Sequence, residues 1–219
     1  MGAVQGAVAS MLAAFDAAKH LTAPFDYWLL NQVLPERVAN DVCALPFAPP
    51  RIGDTKGKRE THNSTRVFFS PEHQARYPVI ATLAEAFQSG PTLAALQAHF
   101  PVSLGGSYLR IEYCQDVEGF WLEPHTDISA KLITMLVYLS SGPQAEDWGT
   151  DIYDEQMRLV GRAPGSFNTG LVFVPGSDTW HGYAKRPMAG VRKSLIINFV
   201  KSDWRSRHEL TFPDRPCPA

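Results

Sequence analysis

Three side chains with metal-binding chemistry stand out by their type and spacing. His125 and Asp127 lie two residues apart in the segment Glu-Pro-His-Thr-Asp. Side chains on an extended strand alternate between two faces, so this imidazole and this carboxylate are expected to share one face. His181, in the later segment Trp-His-Gly, is the candidate for a third ligand on a neighbouring strand where the sheet folds back. Two histidines and one carboxylate suit Fe(II) and leave coordination positions open for other ligands.

A second group of polar residues lies on the strand predicted at residues 191–199. Alternation divides this strand into an apolar side with Leu195, Ile197 and Phe199, and a mixed side with Arg192, Ser194, Ile196 and Asn198. A guanidinium and a hydroxyl two residues apart suit a buried carboxylate. The alternative is a surface arginine at the start of a strand. Lys193 should point the opposite way and contribute to packing or solvation.

The composition is typical of a globular protein and argues against several functional classes. The 219 residues fit one domain, and a hydrophobic fraction of 45% is ample for a continuous core. A formal net charge of −2 without a long basic run does not indicate nucleic-acid binding. The three widely spaced cysteines suggest neither a disulfide framework nor a thiolate zinc site, so a reducing cytoplasm is the simpler location. The apolar runs are too short to cross a bilayer, and no membrane partner is expected.

The N-terminal part, residues 1–106, is predicted to be mainly helical. Residues 51–65 contain almost nothing apolar and indicate a surface loop, which is either a lid over a binding site or a solvated loop without a role. Apolar spacing predicts helices at residues 7–20, from Pro35 onward, at 77–87 and at 92–100, with short strands at 25–30 and 66–69.

From residue 107 onward the sequence changes to short runs of β-branched and aromatic residues separated by Gly, Pro and Asp. Many short strands at this spacing indicate an antiparallel sandwich or barrel. We therefore predict an α+β fold in a single domain, residues 1–219, with a double-stranded β-helix (jelly roll) core at 107–202 and N-terminal helices packed on it. The predicted strands are 108–113, 120–124, 132–139, 151–153, 171–174 and 192–200.

These motifs follow one another in an order that resembles a known family. They are Tyr113 ahead of Gly119-Phe120, Pro124-His125-Thr126-Asp127, Leu132-Ile133-Thr134, Trp148-Gly149-Thr150-Asp151, Phe173-Val174-Pro175, Trp180-His181-Gly182 and Arg192-Lys193-Ser194. In this order they resemble the 2-oxoglutarate- and Fe(II)-dependent oxygenases, particularly the branch that includes the prolyl 4-hydroxylases. Trp148 departs from the glycine that the family often has there. The N-terminal half resembles the family only loosely.

The resemblance implies a dioxygenase that hydroxylates an unactivated C–H bond and releases succinate and CO2. Fe(II) would be the metal, with 2-oxoglutarate and O2 as co-substrates. No catalytic residue is implied beyond the metal ligands His125, Asp127 and His181. Arg192 would bind the distal carboxylate of 2-oxoglutarate, helped by Ser194 and by Tyr113. Related halogenases have a small residue in place of Asp127, so the resemblance favours hydroxylation.

The prime substrate is less well indicated than the reaction. By analogy we expect a small molecule, with peptidyl-proline hydroxylation as the alternative within the enzyme class. Outside that class, a cupin-like metal-binding isomerase or a non-catalytic binding module stays open. Arg66 and Arg110 suit a substrate carboxylate or phosphate, although structural ion pairs are an equal alternative. The substrate candidates are Asn63, Arg66, Arg110, Trp121 and Glu123.

Overall fold

The computed structural model describes residues 2–51, 55–58 and 66–218. Asn63 and most of the loop predicted at residues 51–65 therefore lie outside the described ranges. Among the described residues, no helix combines the length and the apolar character needed to cross a membrane.

Five α-helices occur within the described ranges, and four of them correspond to the predicted helices. The first, α1, begins earlier than predicted and ends at Asp16, because the strand Lys19–Leu21 follows it and pairs with the strand Tyr27–Asn31. The unpredicted helix α3 is only six residues long and buries none of its side chains, so it has no apolar stripe to signal it. The helices are α1 (Ala3–Asp16), α2 (Glu36–Cys43), α3 (Pro71–Arg76), α4 (Pro78–Phe87) and α5 (Gly90–His99).

The strands form two antiparallel sheets, which confirms the α+β prediction with antiparallel pairing. Three short strands are absent from the predicted set, Lys19–Leu21, Leu159–Arg162 and His181–Tyr183, although His181 itself was expected to lie on a strand. The larger sheet has the order β1-β2-β9-β6-β11-β4-β3, with β1 (Lys19–Leu21), β2 (Tyr27–Asn31), β3 (Val67–Phe68), β4 (Tyr108–Asp116), β6 (Lys131–Tyr138), β9 (Thr169–Phe173) and β11 (Arg192–Val200). The smaller sheet has the order β5-β10-β7-β8, with β5 (Leu122–His125), β7 (Asp151–Tyr153), β8 (Leu159–Arg162) and β10 (His181–Tyr183).

One face of the larger sheet packs against the helices. Leu195, Ile197 and Phe199 on β11 share this hydrophobic core with Met11 and Phe15 on α1. The alternation predicted for β11 is therefore confirmed. Fully burying an aliphatic or phenyl side chain contributes about 1.5–3 kcal/mol, so this core holds the helices to the sheet.

The opposite face of the larger sheet faces the smaller sheet. Near one end the contact is apolar, where Leu136 and Phe173 meet Ile152 of β7. Along β11 toward its C-terminal end the same face becomes polar and carries Asn198 beside Arg110 of β4. The space between the sheets thus combines an apolar contact with a buried polar region, and it contains the candidate site.

Candidate metal centre

The fold brings the three predicted metal ligands together. His125 at the end of β5 pairs directly with His181 at the start of β10, and their ring centroids lie 4.4 Å apart. Asp127 follows β5 immediately, and ligand atoms from the three residues all lie within 4.8 Å of one another. Gly182 permits the close strand approach, because a Cβ atom there would lie 2.8 Å from the carbonyl oxygen of Leu122.

Both histidines are oriented in the same way by the backbone. The Nδ1 atom of His125 lies 2.8 Å from the carbonyl oxygen of Glu123, and that of His181 lies 2.9 Å from the carbonyl oxygen of Thr179. A carbonyl oxygen only accepts hydrogen bonds, so each Nδ1 atom carries the proton. In the neutral imidazole this tautomer leaves the lone pair on Nε2, which is the form of histidine that binds a metal.

Burial and polar contacts set the charges of His181 and Asp127. Burial lowers the pKa of His181 to about 4, with His125 acting in the same direction and Asp127 opposing it, so the imidazole is neutral at pH 7. Burial alone would raise the pKa of Asp127, but the Lys131 ammonium and the hydroxyl of Thr134 hold it well below its usual range. His181 thus offers a neutral imidazole and Asp127 a carboxylate.

Both oxygens of Asp127 accept a hydrogen bond. Lys131 Nζ donates to Oδ1 at 2.5 Å, and Thr134 Oγ1 donates to Oδ2 at 2.6 Å. Lys131 and Thr134 are residues that the sequence reasoning missed. For Thr134 a signal existed, because alternation on β6 places it on the same face as Leu136, toward the smaller sheet.

A cavity of about 640 Å³ surrounds the three ligands. Arg192, at the start of β11, lines it near one end of that strand. Arg110 lines it too and lies opposite Asn198, near the other end of β11. The cavity therefore extends along β11, with the candidate metal centre against it.

The Arg192 end of the cavity contains buried polar atoms that are not saturated. Arg192 Nε donates to the carbonyl oxygen of Trp148 and Nη1 donates to Asp116 Oδ2, both at 2.5 Å, while Nη2 has no partner among the described residues. The hydroxyl of Tyr183, which lines the cavity, is buried and likewise has no partner in the described part of the chain, and the same is true of the hydroxyl of Ser194, which is not itself a lining residue. An unsatisfied buried polar group costs about 1–3 kcal/mol, so this end suits a polar ligand that would pair with it.

Tyr183 is a further residue that the sequence reasoning missed. It lies two residues after His181 on β10 and lines the same cavity. Its ring lies against the guanidinium of Arg192, whose Cζ atom is 4.8 Å from the ring centroid. The period of two along a strand, applied to His181, was the signal that could have found it.

Tyr113 does not lie in the cavity, so its prediction as a co-substrate ligand is wrong. It pairs with Leu195 and points into the helix-side core, across the sheet from Arg192 and Ser194. Its hydroxyl also lacks a partner among the described residues, but it lies in that core, where burial raises its pKa. The next residue, Cys114, pairs with Ser194 instead, because a shift of one residue along a strand changes the face.

Arg66 and Arg110 both line the cavity and both form ion pairs. Arg66 makes a bidentate pair with Glu112, at 2.8 Å from Nε to Oε1 and 2.6 Å from Nη2 to Oε2. Arg110 Nε donates to Glu209 Oε2 at 2.6 Å, and its Nη2 donates to Glu112 Oε2 at 3.0 Å. The two guanidinium charges are thus matched by two carboxylates, which agrees with the structural ion pairs considered as the alternative.

The remaining substrate candidates differ in position. Glu123 is exposed and lines the cavity, whereas Trp121 is not among the lining residues. Trp121 packs against Gly57, where a Cβ atom would lie 2.8 Å from its ring. Residues 55–58 run along β5, since Glu123 N donates to the carbonyl oxygen of Gly57 at 3.0 Å. Asn63 is outside the described ranges, and a lid at residues 51–65 stays a prediction.

Comparisons with known proteins identify the fold. No protein-family model matches the chain, and no curated protein matches its sequence. A prolyl 4-hydroxylase from Phytophthora capsici has a TM-score of 0.59 at 15% identity, over 92% of this chain and 66% of that chain. A prolyl hydroxylase from Trichoplax adhaerens, in complex with a peptide fragment of a hypoxia inducible factor, has a TM-score of 0.59 at 11% identity, over 89% of both chains.

A third similar structure is the non-haem α-ketoglutarate-dependent epimerase SnoN from nogalamycin biosynthesis. Its TM-score is 0.52 at 15% identity, over 90% of this chain and 84% of that chain. The chain therefore has the fold of the 2-oxoglutarate- and Fe(II)-dependent oxygenases, including the prolyl hydroxylases, which confirms the resemblance at the level of the fold.

Proposed function

We propose that this protein is a 2-oxoglutarate- and Fe(II)-dependent dioxygenase that hydroxylates an unactivated C–H bond of a small molecule, with succinate and CO2 as co-products. The observation that carries the proposal is the convergence of His125, Asp127 and His181, with both imidazole protons held on Nδ1. This arrangement leaves two nitrogens and a carboxylate facing one side of a metal, as non-haem Fe(II) oxygenases require. The two facing sheets would correspond to a double-stranded β-helix within a single domain.

The unsaturated end of the cavity supports 2-oxoglutarate as the co-substrate. Arg192 Nη2 and the Tyr183 hydroxyl would donate to its distal carboxylate, and the nearby Ser194 hydroxyl would be a further donor. Fe(II), 2-oxoglutarate and O2, when bound, would supply the oxidative decarboxylation and the oxidant. The residues of this chain bind and orient these groups, and Asp116 and the Trp148 carbonyl hold the Arg192 guanidinium in place.

A small molecule is our proposal for the prime substrate. A cavity of about 640 Å³ is within the usual range for small-molecule sites. Because Glu112 and Glu209 match the charges of Arg66 and Arg110, we propose a polar substrate that does not depend on these arginines to bind an anionic group. Peptidyl-proline hydroxylation is the second candidate, and the similar prolyl hydroxylase structures favour it.

Ligand-dependent thermal stability tests the proposal without knowledge of the substrate. The unfolding temperature would be measured with Mn(II) alone, 2-oxoglutarate alone and both together, since a ligand that binds only the folded state stabilises it. We expect stabilisation by the pair beyond that by the metal, and loss of both effects in His181→Ala. A cupin-like isomerase or a binding module would respond to the metal without a further effect of 2-oxoglutarate.

Succinate release then separates the two substrate classes. Coupled release would be compared across amino acids, sugars and proline-containing peptides, with release in the absence of any substrate as the baseline. Stimulation by a small molecule supports the proposal, whereas stimulation by peptides alone identifies a peptidyl hydroxylase.

A further inference from the structure

A line of buried hydrogen bonds connects β4 to the candidate metal ligand Asp127. Arg110 Nη1 donates to Asn198 Oδ1 at 3.3 Å, Asn198 Nδ2 donates to Thr134 Oγ1 at 2.9 Å, and Thr134 Oγ1 donates to Asp127 Oδ2 at 2.6 Å. Arg110, Asn198 and Thr134 are direct neighbours across three adjacent strands, β4, β11 and β6. Their exposed fractions are 2%, 0% and 3%, so water does not compete for these bonds.

The direction of every bond in this line follows from the arginine. A guanidinium only donates hydrogen bonds, so Asn198 must present its oxygen to Arg110. Its amide nitrogen then faces Thr134 and donates to the hydroxyl oxygen. The single proton of the Thr134 hydroxyl is therefore left to donate to Asp127 Oδ2. Arg110 is itself fixed by Glu112 and Glu209, at 3.0 Å and 2.6 Å.

We propose that Arg110, Asn198 and Thr134 are positioning residues that hold the Asp127 carboxylate in its metal-binding orientation before the metal binds. A preoriented ligand loses less conformational freedom on binding, so metal affinity should depend on the direction of these bonds as well as on their presence. Lys131, at the start of the same strand β6, holds the other carboxylate oxygen, but its side chain is long and 19% exposed, whereas the Thr134 side chain is short and buried. The inference rests on the metal centre of the proposed function.

Two nearly isosteric substitutions test this positioning role, one by removing the hydrogen-bond donor to Asp127 and the other by changing its direction. Thr134→Val removes the donor to Asp127, while Asn198 Nδ2 keeps a second acceptor, the Ile133 carbonyl oxygen at 3.4 Å. Asn198→Asp keeps an acceptor for Arg110 but has no N–H group, so the Thr134 proton can turn away from Asp127. Thr134→Ser retains the hydroxyl and is the matched control.

The readout is the dissociation constant of Mn(II), measured from the electron paramagnetic resonance signal of the free ion, with circular dichroism giving the folded fraction of each variant. We expect Thr134→Val and Asn198→Asp to weaken binding by about 10- to 100-fold, the usual effect of removing a group that orients a metal ligand. The dissociation constant of Thr134→Ser should stay within about twofold of that of the unsubstituted protein. The variant with both Thr134→Val and Asn198→Asp should bind Mn(II) as tightly as the weaker-binding of the two single variants, because both substitutions act on one hydrogen bond.

Equal Mn(II) affinity in the folded unsubstituted protein and the folded Thr134→Val variant would overturn the positioning role and leave the metal centre intact. The same conclusion follows if Thr134→Ser is as weak as Thr134→Val, or if the losses from the two single variants simply add. Absence of Mn(II) binding by the unsubstituted protein would overturn the metal centre and this inference together.

Discussion

The unpaired hydroxyl of Tyr183 leads to a prediction with opposite signs in the absence and presence of 2-oxoglutarate. In the structure this hydroxyl is buried and has no partner among the described residues. Tyr183→Phe should therefore raise the free energy of unfolding of the ligand-free protein, since an unsatisfied buried polar group costs about 1–3 kcal/mol. The ring remains, with the Cζ atoms of Arg186 and Arg192 at 4.1 Å and 4.8 Å from its centroid.

With 2-oxoglutarate present the same substitution should be unfavourable. A hydrogen bond to a charged group contributes about 1.5–3 kcal/mol, so its loss should weaken 2-oxoglutarate binding by roughly 10- to 100-fold. At a 2-oxoglutarate concentration of about 100 times the dissociation constant, the unsubstituted protein gains about 2.7 kcal/mol from binding. A variant that binds about 30-fold more weakly would gain only about 0.9 kcal/mol under the same conditions.

Urea unfolding with Mn(II), with and without 2-oxoglutarate, measures both effects. Tyr138→Phe is the matched control, because Tyr138 Oη donates to Thr150 Oγ1 at 2.7 Å and accepts from Thr150 N at 3.1 Å. Its removal should destabilise the ligand-free protein by about 1–3 kcal/mol, since it leaves a buried N–H group unpaired. If Tyr183→Phe also destabilised the ligand-free protein, or left the 2-oxoglutarate effect unchanged, the reasoning would be refuted.

Three further substitutions, one of them with a matched control, test other parts of the site. Ser194→Ala should stabilise the ligand-free protein slightly and reduce its stabilisation by 2-oxoglutarate, because the Ser194 hydroxyl is buried and unpaired among the described residues. The control Ser140→Ala loses a 2.8 Å hydrogen bond from a backbone N–H, so it should destabilise the protein by about 1 kcal/mol without changing the 2-oxoglutarate effect. Urea unfolding with and without 2-oxoglutarate distinguishes the two variants. Asp127→Ala should abolish succinate formation, measured by mass spectrometry, and full turnover would contradict the iron assignment. Gly182→Ala should lower the free energy of unfolding by about 1–3 kcal/mol, measured in urea, and weaken Mn(II) binding, because the added Cβ forces β5 away from β10. Unchanged Mn(II) affinity would show that the strands can separate without moving the ligands.

Two of the three candidate metal ligands were predictable because their signal is local. His125 and Asp127 need only the period of two along an extended segment, and β11 shows the same regularity. The short strand that carries His181 was not predictable in this way. It has three residues, one of them a glycine, and its extended shape comes from pairing with β5 and β7, which are distant in sequence.

The error at Tyr113 has a different cause. Alternation along β4 places Leu109, Ile111 and Tyr113 on one face, and Arg110 with Glu112 on the other, as the structure has them. The resemblance to a family motif outweighed that pattern and selected the wrong face. A motif position carries a side chain into a site only if it agrees with the face that the strand's own alternation assigns.

Two ion pairs of the cavity, Arg66–Glu112 and Arg110–Glu209, could not be assigned from sequence, because their partners are far apart along the chain. Glu209 reaches Arg110 from the short 3-10 helix Arg207–Glu209 near the C-terminus, beyond the last predicted strand. Glu112 pairs with Arg110 two residues away on β4, but it meets Arg66 only once β3 and β4 have paired. Every nitrogen of the Arg110 guanidinium donates a hydrogen bond, whereas Nη2 of Arg192 has no partner among the described residues. This difference arises only in the assembled sheets.

The tautomers of the two histidines follow from their positions at strand ends. Thr179 precedes β10, and Glu123 lies on β5, an edge strand whose outer side meets the segment of residues 55–58 through the Glu123 N–H group. The carbonyl oxygens of both residues are therefore outside the β5–β10 ladder and can accept from the Nδ1 atoms of His125 and His181. The sheet topology thus supplies both the register that brings the rings together and the acceptors that leave each Nε2 atom free for a metal.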